Sequence, residues 1–237
     1  MLKNWYRTQQ FNPGWMGIFV NPFFIARLGL RQNIQKLAPE ISGRVLDVGC
    51  GTKPYVNLFD VDAYIGLDID SADKRQSSQA DFYYDGVKFP FGDNEFDGII
   101  CNQVLEHVFN PQHFLSEIGR VLKPGSRLLL TIPFVWDEHE QPHDCARYSS
   151  FGLKYLLESQ GFEVMTQTKI NPDISTIFQL LNAYLYKISR PWPRLFQEIL
   201  TISIMAFVTL LGLLGKLVLP DNADLYLDQI VLAKNNE

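Results

Sequence analysis

The sequence predicts an α/β protein built on a doubly wound, mainly parallel sheet. Short apolar runs of strand character alternate with segments whose apolar residues recur at helical spacing, and this alternation is typical of parallel sheets with helices on both faces. The first of these runs ends in a Gly-x-Gly turn, and in open α/β sheets ligands bind beyond the carboxyl ends of the strands. A ligand-binding sheet is therefore expected.

The first half of the chain supplies four of the predicted strands. Residues 1–42 are interpreted as a mostly helical lead-in, after which the β/α alternation begins. Arg44–Val48 is a buried apolar run that glycines end, and Phe96–Cys101 follows the turn-like Gly92-Asp93-Asn94. Between them lie the second and third strands, Ala63–Leu67 and Phe82–Tyr84.

The second half adds three strands and several helices. Pro111–Leu122 has helical spacing, and Lys123-Pro124-Gly125 is expected to end that helix. A further helix, capped by Ser150, should run through Ser159. The other predicted elements are the strands Leu128–Ile132, Phe162–Thr168 and Asp224–Ala233, and two apolar helical stretches at about 174–189 and 195–218.

Composition narrows the class of protein. Of 237 residues, 46% are apolar and 20% are charged, and the net charge is −5. These values exclude a disordered chain, and the missing basic excess argues against a nucleic-acid partner. Three scattered cysteines, Cys50, Cys101 and Cys145, are too few for a disulfide framework or a zinc site. A reducing, cytoplasmic compartment is expected, and the broken apolar run Gly14–Ala26 does not resemble a signal peptide.

The Gly-x-Gly turn follows the first strand in Val45-Leu46-Asp47-Val48-Gly49-Cys50-Gly51-Thr52. Two glycines remove the β-carbons that would keep a ligand away from the backbone. The alternative is a tight turn that binds nothing.

Asp68 ends the second strand, 19 residues after Gly49. A carboxylate at about this distance can accept hydrogen bonds from both hydroxyls of a ribose. The alternative is an ordinary polar residue at a strand end. Pro54 occupies the third glycine position of the dinucleotide fingerprint, and proline offers no amide to a pyrophosphate. The pattern favours a nucleoside without phosphates, such as S-adenosylmethionine.

With these residues the chain resembles class I S-adenosylmethionine-dependent methyltransferases of the type 11-like kind. The resemblance covers about residues 40–170. Its six motifs, in order, are Val45–Tyr55, Tyr64–Asp70, Tyr84–Phe91, Phe96-Asp97, Gln103-Val104-Leu105-Glu106-His107-Val108 and Arg120-Val121-Leu122-Lys123-Pro124-Gly125. The chain departs from the family at Lys53 and Ser126, where glycine is usual.

The resemblance completes the predicted fold. It implies a Rossmann-like seven-stranded sheet, mostly parallel, whose antiparallel closing strand lies beside the fifth and sixth strands. An apolar helical hairpin is inserted before that closing strand. The predicted domains are a lead-in at 1–42, a methyltransferase core at 43–170, the hairpin at 171–222 and the closing segment at 223–237.

The resemblance also implies a cofactor site for S-adenosyl-L-methionine. Its predicted residues are Asp47, Gly49 and Gly51 for the methionine portion, Asp68 for the ribose, Asp85 and Gly86 beside the adenine, and Asn102 and Gln103 at the sulfonium end. Asp85 could equally be an ordinary loop carboxylate. Glu106 and His107 are expected to begin a helix and to pack structurally.

A polar loop, Pro133–Tyr148, follows the fifth predicted strand and should overhang the same sheet edge. Its histidines suit proton transfer, with His139 as the first candidate for a catalytic base and His143 as the second. The alternative is a structural lid in which Asp144 pairs with Arg147 and both histidines are solvated. No metal is predicted, because Pro142 should keep the two histidines off one helix face. With Phe151-Gly152-Leu153 and Gly161-Phe162, the loop resembles methyltransferases found with bacterial surface-polysaccharide biosynthesis.

The predicted function is O-methylation of a glycan, a lipid-linked intermediate or a related small molecule. Two alternatives stay open at this point. One is a nicotinamide-dependent oxidoreductase, against which Pro54 argues. The other is a scaffold that keeps the methyltransferase fold without transfer.

The hairpin predicts a contact outside the core. Ile199–Gly215 is a run of 17 residues without a charge, at the short edge of what spans a bilayer. A closing strand in the sheet would exclude a single span. The connection Lys187–Arg194 holds three basic residues and Trp192, which suit an anionic membrane interface. Peripheral attachment to the cytoplasmic face of the membrane, or a homodimer through 174–220, is therefore expected.

Overall fold

A seven-stranded sheet organises the fold. The computed structural model describes residues 2–236; residues 1 and 237, which belong to the predicted lead-in and closing segment, lie outside the described residues. The strands are β1 (Arg44–Val48), β2 (Ala63–Ile69), β3 (Phe82–Tyr84), β4 (Phe96–Asn102), β5 (Leu122–Pro133), β6 (Phe162–Ile170) and β7 (Asp228–Asn235). Their order in the sheet is β3-β2-β1-β4-β5-β7-β6.

Strands β1 to β5 pair in parallel, so their carboxyl ends meet at one edge. Strand β7 runs the other way. The Leu227 amide donates to Ile170 O at one end of the β6–β7 pair, and the Asn236 amide donates to Gly161 O at the other. This crossing order requires antiparallel pairing. The predicted fold, with a closing strand between the fifth and sixth strands, is confirmed.

The helices complete the architecture. They are α1 (Leu2–Phe11), α2 (Gly17–Val20), α3 (Phe24–Leu37), α4 (Ala72–Ser77), α5 (Pro111–Val121), α6 (Ser150–Glu158), α7 (Ser175–Ser189), α8 (Arg194–Leu200) and α9 (Ala206–Val218), with a π-helical segment at Thr201–Met205 between the last two. Asn110 caps α5 through the His113 amide. The cap of α6 is Ser149, which accepts from the Gly152 amide, rather than the predicted Ser150.

Two strand starts differ from the predictions, and five strands end one or two residues later than predicted. Strand β5 begins at Leu122, so Lys123-Pro124-Gly125 lies inside the strand instead of before it. Phe96 pairs with Leu122 and Gly98 with Arg127, and the extra residues form an irregularity between these two pairs. Strand β7 begins at Asp228, four residues after the predicted start.

The chain forms two compact units. The sheet unit comprises Asn33–Phe134, Glu138–Thr168 and the described part of Gln229–Glu237. The hairpin unit comprises Val135–Asp137, Lys169–Asp228 and the described part of Met1–Gln32. The predicted domain boundaries, which divide the chain by sequence position alone, stay predictions.

The sheet unit buries the residues that its periodicity predicts. Strand β1 buries Val45 to Val48, and α5 buries Phe114, Leu115, Ile118 and Val121 on one side. Leu46, Val48 and the four α5 residues share one apolar cluster with Phe89, Phe96 and Ile99. Burial of this kind is the main stabilising contribution to folding, and it fixes the sheet whose edge carries the loops.

The hairpin unit has a different distribution. The helical hairpin (α7 to α9, Ser175–Val218) buries mostly small and polar side chains and exposes large apolar ones. Arg194–Val218 forms one helix of 25 residues, within which a stretch of 18 residues has a mean hydropathy of 2.0, and among the described residues it alone meets the length and composition needed to cross a membrane.

Candidate active site

The Gly-x-Gly turn lies at the carboxyl edge of the sheet, between β1 and β2. Gly49 and Gly51 both have positive φ, +70° and +49°, a region that glycine enters without steric cost. Their surroundings differ. A β-carbon on Gly49 would lie 2.3 Å from Val104 Cγ2, whereas one on Gly51 would meet nothing within 4 Å. Gly49 thus permits close packing, and Gly51 leaves open space at the backbone for a ligand.

The segment after the turn does not suit a dinucleotide. Residues 49–62 are all described and contain no α-helix, only a 3₁₀ helix at Val56–Leu58. A pyrophosphate in a dinucleotide fold sits on the N-terminus of a helix that follows the glycine turn. Together with Pro54, this arrangement leaves nothing to hold a pyrophosphate, which argues against the nicotinamide alternative.

Asp68 lies beside the turn at the same edge. Its side chain is buried, and it accepts hydrogen bonds from the Gly51 amide at 3.2 Å and the Ile69 amide at 2.9 Å. The carboxylate is thereby fixed next to the open space at Gly51. A cradle of this shape, with a carboxylate at its rim, fits the ribose and methionine portions of S-adenosylmethionine.

Asp47 is the buried acid of β1. Burial raises its pKa to about 7, and the hydrogen bond from Tyr64 Oη at 2.7 Å only partly offsets that effect. A carboxyl that is only partly ionised near neutral pH would bind a cationic group and release a proton. The amino group of a methionine portion is such a cation.

Lys53 explains how the chain departs from the family at this turn. Its φ is +50°, so it adopts the backbone conformation that glycine would adopt more easily. Its Nζ lies 2.5 Å from Asp81 Oδ2. A β-carbon on Gly66 would come within 2.4 Å of Lys53 Cε, so Gly66 lets the lysine cross β2. The ion pair holds this turn in place of a third glycine.

The remaining predicted cofactor residues follow β3 and β4. Asp85 Oδ1 accepts from the Val87 and Lys88 amides, which lowers its pKa, and Gly86 next to it has φ +87°. Asn102 Oδ1 accepts from Thr131 Oγ1 at 2.6 Å. Gln103 has φ +57°, a strained conformation of the kind that clusters at functional sites. All eight predicted cofactor residues follow or end parallel strands at one sheet edge, and their contacts with the cofactor stay a prediction.

His139 belongs to a hydrogen-bonded group within the loop after β5. Its Nδ1 lies 3.3 Å from Asp144 Oδ2, and its amide donates to the same oxygen at 3.0 Å. Asp144 is 4% exposed and also pairs with Arg147, which is the main reason that its pKa falls to about 2. The predicted ion pair between Asp144 and Arg147 is therefore present. The structure differs from the lid alternative at His139, whose ring is held by a buried carboxylate.

His143 has another environment. The residue is exposed, and its carbonyl oxygen lies 3.0 Å from His107 Nδ1. The ring of His107 packs edge-on against that of His139, with centroids 4.9 Å apart. The order of the two predicted histidines stays a prediction, and this geometry favours His139.

Glu106 and His107 join the site, which sequence reasoning missed. They form a 3₁₀ helix at Leu105–His107, and Glu106 O accepts from the Cys145 and Ala146 amides, which tethers the loop to this helix. Glu106, His107 and His139 each place one possible ligand atom within 4.8 Å of the others. The predicted absence of a metal stays a prediction. The available signal was that Glu106 and His107 follow β4, at the edge where the loop emerges.

Comparisons with known proteins agree with this geometry. The chain is 32% identical over 164 residues to an O-methyltransferase of Penicillium expansum, which covers 59% of either chain. It is 29% identical over 168 residues to a demethylmenaquinone methyltransferase of Paenarthrobacter aurescens, covering 65% of this chain and 58% of that one. The chain thus spans less than two thirds of the length of either relative.

The fold is shared with a solved structure. Phosphoethanolamine N-methyltransferase 2 of Haemonchus contortus, in complex with S-adenosyl-L-methionine, superimposes with a TM-score of 0.58 at 15% identity, covering 94% of this chain and 56% of that chain. The model of the methyltransferase domain family matches residues 25–167, which is more than half of the chain. This protein therefore belongs to the methyltransferase domain family and has the class I S-adenosylmethionine-dependent methyltransferase fold.

Proposed function

We propose that this protein methylates an oxygen atom of a glycan, a lipid-linked intermediate or a related small molecule, with S-adenosylmethionine as the methyl donor. One observation carries the proposal of oxygen as the acceptor. A histidine held by a buried, ionised carboxylate lies on the loop that leaves the same sheet edge as the Gly49–Gly51 turn. Hydroxyl acceptors need a base of this kind, whereas proximity alone suffices for better nucleophiles.

The cofactor residues bind S-adenosylmethionine and orient it. When bound, S-adenosylmethionine supplies a methyl group on a sulfonium sulfur and leaves as S-adenosylhomocysteine. The Asp68 carboxylate accepts from the ribose hydroxyls, and the open backbone at Gly51 admits the methionine portion. Asp47 faces the cationic amino group. Asn102 and Gln103, at the end of β4, border the position of the acceptor.

His139 moves the proton. Asp144 lies against His139 Nδ1, which favours the tautomer that carries hydrogen there and leaves the lone pair on Nε2. As the new C–O bond forms, the acceptor hydroxyl gives its proton to Nε2. The charge that then develops on the imidazole ring is stabilised by Asp144, whose low pKa keeps it ionised. Arg147 holds Asp144 in that position.

The relatives support the transfer and leave the acceptor open. One is named an O-methyltransferase and another a demethylmenaquinone methyltransferase, so only the second name gives an acceptor molecule. The base supports oxygen for this chain, and the resemblance of its loop supports a polysaccharide-related acceptor.

The test is a labelled methyl-transfer assay. The purified protein is incubated with S-adenosylmethionine that carries a labelled methyl group and with lipid, polysaccharide and small-molecule fractions of a bacterial extract. We expect label in one fraction, in an O-methyl group identified by mass spectrometry. Asp68→Ala is the matched control, because it should bind the donor poorly.

Each alternative gives a distinct result. Binding of S-adenosylhomocysteine without label in any fraction would favour the scaffold. Label on nitrogen or carbon would contradict the oxygen acceptor and leave the transfer standing. Repeating the assay after chelation by EDTA tests the predicted absence of a metal, since loss of transfer that a divalent cation restores would show a metal requirement, for which Glu106, His107 and His139 are the candidate ligands.

A further inference from the structure

The helical hairpin carries an apolar face that no described residue covers. On α7 the exposed residues Ile177, Leu181, Tyr184 and Ile188 recur at intervals of four, three and four, which places them on one side of the helix. On the helix Arg194–Val218 a second stripe contains Ile199, Ile202, Phe207, Leu210, Leu214 and Leu217. We propose that this face lies flat in the interfacial layer of a lipid membrane.

The distribution of side chains in the hairpin is the first argument. Its buried residues include Ser175, Thr176, Gln179, Asn182, Thr209 and Gly212. Soluble helices direct their large apolar residues toward the core, and here these residues point outward. Helices that meet in lipid instead pack through small residues and polar contacts. The hairpin follows the second pattern.

The hydrogen bonds of the hairpin fit an apolar solvent. Asn182 Nδ2 donates to Met205 O at 3.1 Å and to Thr209 Oγ1 at 2.9 Å, and so joins the two helices. The other hydroxyls of the charge-free run donate to the backbone, Thr201 to Gln197 O and Ser203 to Ile199 O. Hydroxyls that are satisfied within the helix can enter lipid at little cost.

The positions of the charges set the orientation. Lys187, Arg190 and Arg194 lie at the connection, and Lys216 lies at the opposite end, where its Nζ pairs with Asp173 at 3.0 Å. A hairpin that entered the membrane connection-first would carry three basic residues into hydrocarbon, which is costly. A hairpin that lies flat keeps both charged ends at headgroup level and buries the stripe between them.

The chain path agrees with this orientation. The hairpin leaves the sheet after β6 and returns at β7, two neighbouring strands, so both of its ends stay on one side of the membrane. Helix α7 has 15 residues, about 22 Å at 1.5 Å per residue, which is shorter than the hydrocarbon core of about 30 Å. Neither one span nor two spans match this path.

The stripe is a poor match for a second copy of the chain. Stable protein interfaces carry roughly one hydrogen bond per 100–200 Å² and are rich in Tyr, Trp and Arg at their centres. Between Ile199 and Gly215 the polar side chains are three hydroxyls, each already bonded within the hairpin. A lipid environment, by contrast, needs no hydrogen-bonding groups on the stripe.

Flotation with vesicles tests the proposal, which is independent of methyl transfer. The whole protein is mixed with vesicles of phosphatidylcholine and phosphatidylglycerol and centrifuged through a density gradient. The test variant replaces Ile202, Phe207 and Leu214 with Glu, and the matched control replaces the exposed sheet-unit residues Phe151, Tyr155 and Met165 with Glu. Binding of S-adenosylhomocysteine shows that each variant is folded.

We expect the wild type and the control to float, and the test variant to bind at least about tenfold less, since charges strongly disfavour apolar insertion. A wild type that stays in the soluble fraction would overturn the proposal, and a mass of twice 27.2 kDa without lipid would then identify a dimer interface. Equal flotation of the wild type and the test variant would overturn it as well.

Spin labels test the flat orientation. In a Cys145→Ser background, nitroxide labels are placed at residues 199, 210 and 217, which are all exposed along the helix. We expect similar depths in the bilayer at all three. A steady change in depth, up to about 27 Å over this distance for a helix along the membrane normal, would overturn the flat orientation.

Discussion

The two units of this chain partition their side chains differently. The sheet unit encloses Leu46, Ile99 and Leu115 in one large apolar cluster. The hairpin unit has a small apolar cluster around Phe24 and Ile25, but its helical hairpin encloses Asn182 and Gln179 and exposes Leu214 and Phe207. The rules of burial and hydrogen bonding that explain the sheet unit in water leave the exposed apolar face of the hairpin unaccounted for. The contrast supports the proposal that this face meets an apolar medium.

The largest expected effect concerns activity in the sheet unit. His139→Ala should lower turnover about 10²–10⁴-fold, because a general base is lost, while the affinity for S-adenosylhomocysteine and the flotation with vesicles stay unchanged. Steady-state kinetics on the acceptor fraction and isothermal titration measure the two quantities. His143→Ala should have a much smaller effect, since its ring is exposed. If only His143→Ala loses turnover, the order of the two bases is reversed.

A pair of leucine variants compares a buried position of the sheet unit with an exposed position of the hairpin unit. Leu115→Ala, at a fully buried position, should lower the free energy of unfolding by about 2–5 kcal/mol. Leu214→Ala, at a position 58% exposed, should change it by no more than about 0.5 kcal/mol. Urea denaturation without lipid measures both values. An equal loss for Leu214→Ala would mean that its stripe is packed against protein in solution.

Asp47 gives a test that depends on pH. Its pKa is raised by burial from the usual 3.8 to about 7, so the folded state binds its proton more tightly than the unfolded state does. The wild type should therefore lose stability as the pH rises from about 4 to about 7, by at most about 4 kcal/mol, and change little above that.

Asp47→Asn should remove this loss of stability at higher pH. The variant should match the wild type in stability at pH 4 and exceed it at pH 8, while binding S-adenosylhomocysteine more weakly. Thermal denaturation across this pH range is the measurement. A wild type as stable as the variant at pH 8 would show that the buried carboxyl is not strained in the free protein.

The last of these effects concerns cofactor affinity. Asp68→Ala should weaken binding of S-adenosylhomocysteine by about 1.5–3 kcal/mol for each charged hydrogen bond lost to the ribose. Asp70→Ala is the matched control two residues away, where an exposed carboxylate pairs with Arg75. Titration calorimetry on both variants, with circular dichroism to check folding, separates the two sites. Equal affinities in the two variants would remove Asp68 from the ribose site.

Local patterns predicted most of the fold. Strands β1 and β3 have the predicted bounds, since an apolar run closed by glycines, or a short aromatic run, defines such strands without reference to partners. The predicted start of β5 at Leu128 was wrong, because pairing with Phe96 extends that strand through Lys123-Pro124-Gly125. Pairing across the chain overrides a local stop signal, and no window of sequence contains both partners.

The contacts of the candidate site likewise divide into those between residues near in sequence and those between residues that only the fold brings together. Asp144 follows His139 by five residues, so the loop itself contained the signal for their contact. His107 lies 32 residues before His139, and only the fold brings the two rings together. The sequence of the hairpin revealed its apolar residues and could not reveal which face they occupy, because that depends on how the two helices meet.

The position of β7 has a consequence for biosynthesis. This strand lies between β5 and β6 in the sheet, and the ribosome makes it after both of them and after the whole hairpin. At about 5–20 residues per second, the 65 residues between the end of β6 and the end of β7 take about 3–13 s to synthesise. During that interval β5 and β6 each lack the neighbour that joins them, while the apolar hairpin is being made. The order of translation therefore completes the hairpin before the sheet can close.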